Sequence, residues 1–317
     1  MIDKIHHGRN DRRTFLKTLG ACGAALALGS KAHAAALSDW RKLIGLQLVV
    51  VRDEMLKDVE ATLAKVAAIG YKYVNPVGFS GLDAKTYRTL LDRHGLLAPQ
   101  IDLGFRTGPE MEKDLESCQI LGVKYAEPVV PGLGGRPPGR PPAFVRETVE
   151  AAKRTAAEYN AYGKVARKFG MMVIFHNHVE HFELLADSKS TFFDVFLSET
   201  DPETVGMEFD LGYTAIAGRN IPELIRQYPG RLPVWDVRDA FGIKNADAHP
   251  ALTPSQRLPY TYLVPVGLGD VDFKTIFASA EISGLKYFFV QQNNAPTWGD
   301  SIAAARVSFE NLTKILA

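Results

Sequence analysis

Short apolar runs alternate with segments of helical periodicity along most of the chain. The apolar runs have the length of buried strands and are rich in β-branched and aromatic residues. They predict eight strands, at residues 44–50, 71–75, 96–102, 123–127, 173–176, 205–210, 232–236 and 286–290. The intervening pattern predicts helices at residues 58–69, 84–94, 110–121, 144–169, 191–198, 222–228, 273–282 and 302–316. Pro99 weakens the third strand, and residues 240–265 show no regular pattern.

This alternation of strands and helices indicates the fold class. It favours parallel pairing, and eight such units are what a closed (β/α)₈ TIM barrel requires. An open, doubly wound sheet is the alternative, but its nucleotide-binding form is disfavoured because no glycine-rich phosphate motif follows the first strand. A Pro- and Gly-rich insert at residues 128–142 is predicted to be a loop, either a plain linker or a lid over the strand ends.

The N-terminus has the features of an export signal. The paired arginines Arg12 and Arg13 precede a mildly apolar, Ala- and Gly-rich run at residues 18–29, and a small-x-small cleavage motif ends at Ala34. Paired arginines before a weak apolar region are typical of twin-arginine signals. We therefore expect a signal peptide at residues 1–34, a single barrel domain at residues 35–317, and export by the twin-arginine route, with a periplasmic location.

The composition disfavours several kinds of partner and of covalent or metal site. The 37 basic and 36 acidic residues give a net charge of +1, which disfavours nucleic acid and membrane-surface partners. No other segment has the apolar length of a membrane span. Cys22 could mark a lipoprotein signal, although the apolar run before it is short. Removal of the signal leaves Cys118 as the remaining cysteine, which excludes an internal disulfide and a cysteine-rich metal site.

The densest group of ligand-capable residues follows the predicted strand at residues 173–176. His176, His178, Glu180 and His181 occur within six residues, where the chain leaves the strand. In a barrel, the carboxyl ends of all strands face one cavity. The other polar residues near predicted strand ends are Asn75, Asp102, Glu127, Glu208, Asp210, Asp236, Arg238, Asp239 and Gln291. A ring of histidines and carboxylates around one cavity is a reasonable divalent-metal site.

Several motifs resemble those of the xylose isomerase-like TIM-barrel family of sugar phosphate isomerases and epimerases, in particular its exported branch. The matching segments are residues 45–53, 69–74, 176–178, 208–211, 228–231, 266–273 and 287–292. The resemblance covers most of the chain after the signal. It implies a TIM barrel in which a divalent metal polarises a sugar carbonyl while the neighbouring carbon is deprotonated.

The resemblance also implies a ligand set of Glu, Asp, His and Glu, from which this chain departs. The first Glu falls on His181, or on Glu180 after a slip of one residue. The Asp is kept as Asp210, whereas the His falls on Asp236 and the last Glu on Gln291. These four positions, with His181 as the first, could still hold Mn²⁺, Zn²⁺ or Mg²⁺. Since Gln291 does not titrate near neutral pH, epimerisation between two carboxylate bases is disfavoured.

Two functional interpretations follow. In the first, the chain is an isomerase or lyase that deprotonates a keto-sugar or keto-glycoside, with His178, Glu180 or His181 as the base. In the second, the barrel binds a carbohydrate without turnover, as an accessory subunit of an exported oxidoreductase complex or as a homo-oligomer. A DNA-repair endonuclease of the same fold is disfavoured because the chain is not basic.

Four further residues are predicted to contact the carbohydrate substrate. They are His176, Trp235, Arg238 and Trp298. The two tryptophans could stack on a sugar face, although aromatic residues at such positions more often belong to the core.

Overall fold

The computed structural model describes residues 40–129 and 147–317. The predicted signal peptide, its cleavage site and residues 130–142 of the predicted insert lie outside these ranges. The strands are β1 (Ile44–Gln47), β2 (Tyr73–Asn75), β3 (Gln100–Gly104), β4 (Tyr125–Val129), β5 (Met172–His176), β6 (Val205–Asp210), β7 (Val234–Val237), β8 (Asp239–Phe241), β9 (Tyr262–Val264) and β10 (Tyr287–Val290).

Eight of these strands pair in parallel in the order β2-β1-β10-β7-β6-β5-β4-β3. Between the two outer strands of this order, Val74 N donates to Leu97 O at 2.8 Å and Asp102 N donates to Pro76 O at 2.9 Å. These bonds bring the sheet to a nearly closed barrel. The TIM-barrel fold predicted from the sequence is confirmed.

Helices cover the outside of the barrel. They are α1 (Arg52–Lys57), α2 (Val59–Ile69), α3 (Ala84–Arg93), α4 (Pro109–Leu121), α5 (Val149–Ala166), α6 (Phe192–Glu199), α7 (Leu211–Ile216), α8 (Ile221–Gln227), α9 (Ile243–Asp247), α10 (Phe273–Phe277), α11 (Ala280–Ser283) and α12 (Ser301–Ile315). Within the described ranges, no helix is both long enough and apolar enough to cross a membrane.

Local side chains fix several helix starts. Asp58 accepts a hydrogen bond from Ala61 N at 2.9 Å, and Asp83 accepts bonds from the first turn of α3. Thr191 and Asp194 form a reciprocal capping box at the start of α6. Such caps satisfy the amide groups that a first helical turn leaves without partners. They explain why the predicted helix starts agree with the observed ones to within one or two residues here.

Some predicted boundaries are corrected by the structure. β3 begins at Gln100 rather than residue 96, because Pro99 cannot donate a backbone hydrogen bond. β1 ends at Gln47, and the chain continues as a 3₁₀ turn (Leu48–Val51). β4 extends to Val129, into the predicted loop. The predicted helix at residues 273–282 is split into α10 and α11.

The segment at residues 240–265, which showed no pattern, contains regular structure. β8 and β9 form an antiparallel ribbon in which Asp239 pairs with Val264 and Phe241 with Tyr262. Asp239 is fully buried and its carboxylate accepts hydrogen bonds from the amides of Gly267 and Gly269, each at 2.9 Å. The segment at residues 240–265 therefore packs firmly beside the carboxyl end of β7, where it helps to shape the site.

Candidate functional site

The barrel interior carries a layer of polar side chains near the carboxyl ends of its strands. The buried members are Gln47, Asn75, Glu127, Glu208, Asp210, Asp236 and Gln291, and Asp102 and His176 are partly buried. Side chains alternate along a strand, so Glu208 and Asp210 of β6 both point inward while Phe209 points to the helices. A polar layer inside a barrel requires internal partners, because buried polar groups are costly when they lack them.

His176, at the end of β5, lies between two pairs of carboxylates. Its Nε2 is 3.2 Å from Asp210 Oδ2 and 3.3 Å from Asp236 Oδ2. Its Nδ1 is 3.9 Å from Glu127 Oε1 and 3.8 Å from Glu208 Oε2. Each imidazole nitrogen thus faces a separate pair of acids, and His176 is the centre of the site.

These contacts define two triads of groups that could hold a metal ion. One is Glu127, His176 and Glu208, and the other is His176, Asp210 and Asp236. In each triad the three ligand atoms lie within 4.8 Å of one another. The predicted ligands Asp210 and Asp236 therefore come together, whereas His181 belongs to neither triad. His176, predicted as a substrate contact, occupies the position next to these two carboxylates.

Arg238 is the cation of this site. It is fully buried, and its Nε donates to Asp210 Oδ2 at 2.6 Å while its Nη1 donates to Asn293 Oδ1 at 2.8 Å. The guanidinium also lies 4.1 Å from the centre of the Tyr213 ring. Burial alone would lower the pKa of Arg238, but the charges of Asp210, Tyr213 and Asp236 together outweigh burial and hold that pKa above its usual value. Arg238 is therefore charged.

The backbone holds Asp210 in a defined orientation. Asp210 ends β6 and caps α7, because its Oδ1 accepts a hydrogen bond from Tyr213 N at 2.7 Å. Its own amide donates to Asn177 Oδ1 at 3.0 Å. Burial raises the pKa of Asp210, yet the charge of Arg238 and the hydrogen bonds with His176 and Tyr213 N together outweigh burial and lower that pKa below its ordinary value. Asp210 is thus an ionised carboxylate with one oxygen committed to the cap.

Gln47 is a site residue that the sequence analysis did not identify. Its Nε2 donates to Glu208 Oε1 at 2.8 Å and to Asp236 Oδ1 at 2.6 Å, so it bridges the two triads. An amide at the end of β1 is a weak signal in sequence. Only the pairing of β1 with β10 and β2 brings Gln47 opposite the acids.

The other carboxyl groups of the polar layer all have raised pKa values. Burial is the largest cause, and it raises the pKa of Glu127, Glu208 and Asp236 well above their ordinary values. Charges on neighbouring carboxylates raise these three further. Burial also raises the pKa of Asp102 to about 6. Crowded acids in a low-dielectric interior need either protons or a cation to compensate them.

The turn after β5 holds the three other predicted active-site residues. His178 N donates to His181 Nδ1 at 2.7 Å, and His178 Nδ1 lies 3.4 Å from Glu180 Oε1. The His181 ring is buried against Phe175 and Phe192, with each pair of ring centres 5.0 Å apart. Burial would raise the pKa of Glu180, but the hydrogen bond with His178 and the charges of His181 and His178 lower it to about 2. Glu180 is consequently a carboxylate that orients His178.

A small cavity opens onto this group of residues. Its volume is about 150 Å³, and its lining includes Asp102, Glu127, His176, His178, Arg238 and Gln291. Trp235 is not among the lining residues, because it is fully buried and packs on Phe277 with the ring centres 5.3 Å apart. Trp298 is 44% exposed on a 3₁₀ turn (Ala295–Trp298). Of the predicted site residues, His176, His178, Arg238 and Gln291 thus share one cavity.

The first comparison with known proteins concerns the N-terminus and curated relatives. Residues 9–29 match the family model of the twin-arginine translocation pathway signal sequence. The chain is also similar to an inosose dehydratase of Lactiplantibacillus plantarum, with 24% identity over 152 residues. That match covers 47% of this chain and 49% of the relative. The chain thus spans about half the length of the curated relatives it matches.

Solved structures resemble this chain over most of its length. A sugar phosphate isomerase/epimerase from Parabacteroides distasonis aligns with a TM-score of 0.66 and 19% identity, covering 85% of this chain and 93% of that one. A xylose isomerase-like TIM barrel protein from Mycobacterium smegmatis, in complex with magnesium, aligns with a TM-score of 0.56 and 16% identity, covering 86% and 96%. The chain carries a twin-arginine signal and has the fold of the xylose isomerase-like TIM barrels, as its motifs predict.

Proposed function

We propose that this chain is an exported isomerase or lyase that removes the proton beside the carbonyl of a keto-sugar or keto-cyclitol. The observation that carries this proposal is the joint placement of His176, Asp210 and Asp236 next to a cavity that also contains His178. The names of similar proteins support this class of reaction, since one is named an inosose dehydratase and another a sugar phosphate isomerase/epimerase. A dehydration and an isomerisation can both begin with the same deprotonation.

The residues present fit a divalent metal ion. Ligand atoms about 2.0–2.2 Å from one ion stand roughly 3 to 3.5 Å apart. The two oxygen to Nε2 distances at His176, 3.2 and 3.3 Å, agree with that spacing. Asp236 Oδ2 and Gln291 Oε1 are buried and have no hydrogen-bond partner among the described residues, which would make them available as ligands. His176, Asp210, Asp236 and Gln291 would therefore hold Mg²⁺, Mn²⁺ or Zn²⁺.

This ligand set revises the expectation from sequence in one position, with His176 in place of His181. His181 would instead act as a positioning residue, because its Nδ1 already accepts the amide hydrogen of His178. When bound, the metal supplies a Lewis acid that polarises the substrate carbonyl. Its affinity would be moderated by Arg238, which shares Asp210 Oδ2.

His178 is the proposed base. It lines the cavity, and its Nδ1 lies 3.4 Å from Glu180, whose carboxylate would stabilise the imidazolium formed when a proton is taken up. A base oriented by a second group in this way is a common arrangement for proton abstraction. The proton on the substrate carbon would move to His178 Nε2, while Glu180 remains ionised.

The test combines metal content with turnover. The mature protein, purified without chelator, should contain about one Mg, Mn or Zn per chain by elemental analysis. Asp210→Asn and Asp236→Asn should lose the metal, and Asp92→Asn, which changes a surface ion pair with Arg88, serves as the control. The Asn variants are preferred to Ala because an amide oxygen at position 210 still caps α7. Wild-type protein that takes up no metal on dialysis, with circular dichroism showing a folded barrel, would refute the metalloenzyme proposal.

Turnover of keto-sugars and inososes should then depend on His178. His178→Ala is expected to reduce kcat by about 100-fold or more while leaving metal content unchanged. A keto-substrate that is converted equally well by wild type and His178→Ala would exclude His178 as the base.

One observation favours a second candidate function. Arg238 Nε already donates to Asp210 Oδ2 at 2.6 Å, so a guanidinium stands where a metal would otherwise supply positive charge. If Arg238 takes the place of the metal ion, the barrel would bind a carbohydrate without turnover, as an accessory subunit of an exported oxidoreductase. Absence of metal together with measurable sugar binding would favour this alternative.

A further inference from the structure

Three exposed aromatic side chains lie on neighbouring segments outside the cavity. Phe241 is 58% exposed, Tyr262 is 52% exposed and Trp298 is 44% exposed. We call these three residues the aromatic platform. Large aromatic side chains normally bury most of their surface, and a local group that does not do so commonly marks a binding site.

Strand pairing and one side-chain contact join the segments that carry the platform. Phe241 and Tyr262 are direct partners in the antiparallel ribbon of β8 and β9, so their side chains lie on the same face of it. Tyr262 Oη is 3.1 Å from Thr297 Oγ1, which places the residue before Trp298 against the ribbon. The three aromatic residues thus come from two separate elements that meet at this point.

The platform is tied to the rim of the cavity. Arg238, which lines the cavity, is followed directly by β8, and Phe241 lies three residues further on, about 10 Å along an extended strand. On the other side, Asn293 lines the cavity and Asn294 Nδ2 donates to Leu263 O at 2.9 Å. Both connections are short and hydrogen-bonded, so the platform has a fixed position relative to the cavity.

The cavity itself is small. At about 150 Å³ it is below the range of roughly 300–1,000 Å³ that encloses most of a drug-sized ligand. A cavity of this size has room for a single sugar ring at most. Any further ring of the substrate would have to lie outside it, against the adjoining surface.

We propose that the aromatic platform is a second sugar-binding subsite, which stacks on the ring linked to the sugar in the cavity. The substrate class is then a keto-glycoside, a sugar ring bearing a second ring, and not a single keto-sugar. This inference rests on the proposed function for the identity of the first ring. The faces of Phe, Tyr and Trp rings pack against the apolar C–H face of a pyranose, and the tyrosine hydroxyl can bond to its edge.

The test measures binding without turnover. Isothermal titration of the full mature protein would compare methyl β-D-glucopyranoside with cellobiose, and methyl β-D-galactopyranoside with lactose. At least one disaccharide should bind about tenfold more tightly than its methyl glycoside. Phe241→Ala and Trp298→Ala should each reduce that preference by about three- to tenfold, as expected for loss of one stacking contact.

Tyr260→Ala provides the matched control. Tyr260 is an exposed aromatic residue of the same segment, residues 240–265, but its ring packs on His249 with the ring centres 5.1 Å apart. This variant should keep the wild-type preference. Equal binding of disaccharides and methyl glycosides, or no binding of any of them, would overturn the subsite.

Sedimentation velocity identifies the competing use of this surface. If Phe241→Ala or Trp298→Ala converts a dimer to a monomer, the platform is an interface between two copies and the subsite is overturned. Because the assay needs neither metal nor catalysis, its result is separate from that of the proposed function. A disaccharide preference in a protein without metal would retain the subsite and reject the metalloenzyme.

Discussion

Arg238 Nε donates a hydrogen bond to Asp210 Oδ2 at 2.6 Å, and both side chains are almost completely shielded from solvent. This ion pair links the loop after β7 to the end of β6. Removing one partner of a buried ion pair leaves an uncompensated charge, which lowers the free energy of unfolding far more than the loss of a surface pair does.

Arg238→Met should therefore lower the free energy of unfolding by about 3 to 5 kcal/mol, measured by urea denaturation. Arg167→Met is the matched control, because the contact of Arg167 with Glu203 is largely exposed and should contribute below about 1 kcal/mol. The double variant with Asp210→Asn should recover much of the loss, since the second change removes the unpaired charge. A single-variant loss as small as that of the control would contradict a charged pair at this position.

His181→Phe separates ring packing from hydrogen bonding. Phenylalanine can keep the contacts with Phe175 and Phe192 but cannot accept the amide hydrogen of His178. We expect a stability loss of about 1 to 3 kcal/mol from the unsatisfied amide, and a fall in kcat larger than any rise in KM. His181→Asn should restore part of both quantities, because its side-chain oxygen can accept the same bond. Equal kinetics in wild type and His181→Phe would show that His181 does not position His178.

Gly212→Ala tests how tightly α7 packs on the loop that carries Arg238. A Cβ atom at position 212 would meet Arg238 O at 2.6 Å and Arg238 Cβ at 2.7 Å. We expect a loss of about 1 to 3 kcal/mol in unfolding free energy from overpacking, with weaker metal binding as Arg238 and Asp210 shift. Gly104→Ala is the control, because no atom of the described residues lies within 4 Å of its added Cβ. It should be neutral or stabilising by up to about 1 kcal/mol.

Cys118 should not react in the folded protein. It is fully buried in α4, and burial, followed by the charge of Asp114, raises the pKa of its thiol to about 12. The reactive thiolate is therefore scarce at pH 8. A chromogenic disulfide reagent added to the mature chain should detect no thiol in buffer and one thiol in concentrated urea. Rapid labelling of the native protein would show that α4 opens readily.

The sequence by itself determined the architecture and the side of the barrel that carries the chemistry. The β6 strand was predicted at residues 205–210 and is observed there, because its apolar and acidic residues alternate with the period of a strand and Asp210 caps the helix that follows. The same local pattern placed His176 and Asp210 at strand ends. Periodicity is a property of neighbours in sequence, so it predicts elements and the ends at which polar residues emerge.

Only the tertiary structure decided which of these residues meet. The resemblance placed a metal ligand at His181, whereas the fold turns His181 toward Phe175 and Phe192 and brings His176 next to Asp210 and Asp236. Gln47 gains its role from Glu208 and Asp236, which lie 161 and 189 residues away along the chain. Arg238 gains its role from Asp210, at the end of the neighbouring strand β6. Distances between strand ends depend on barrel closure and side-chain packing, which involve the whole chain, and no local pattern in the sequence encodes them.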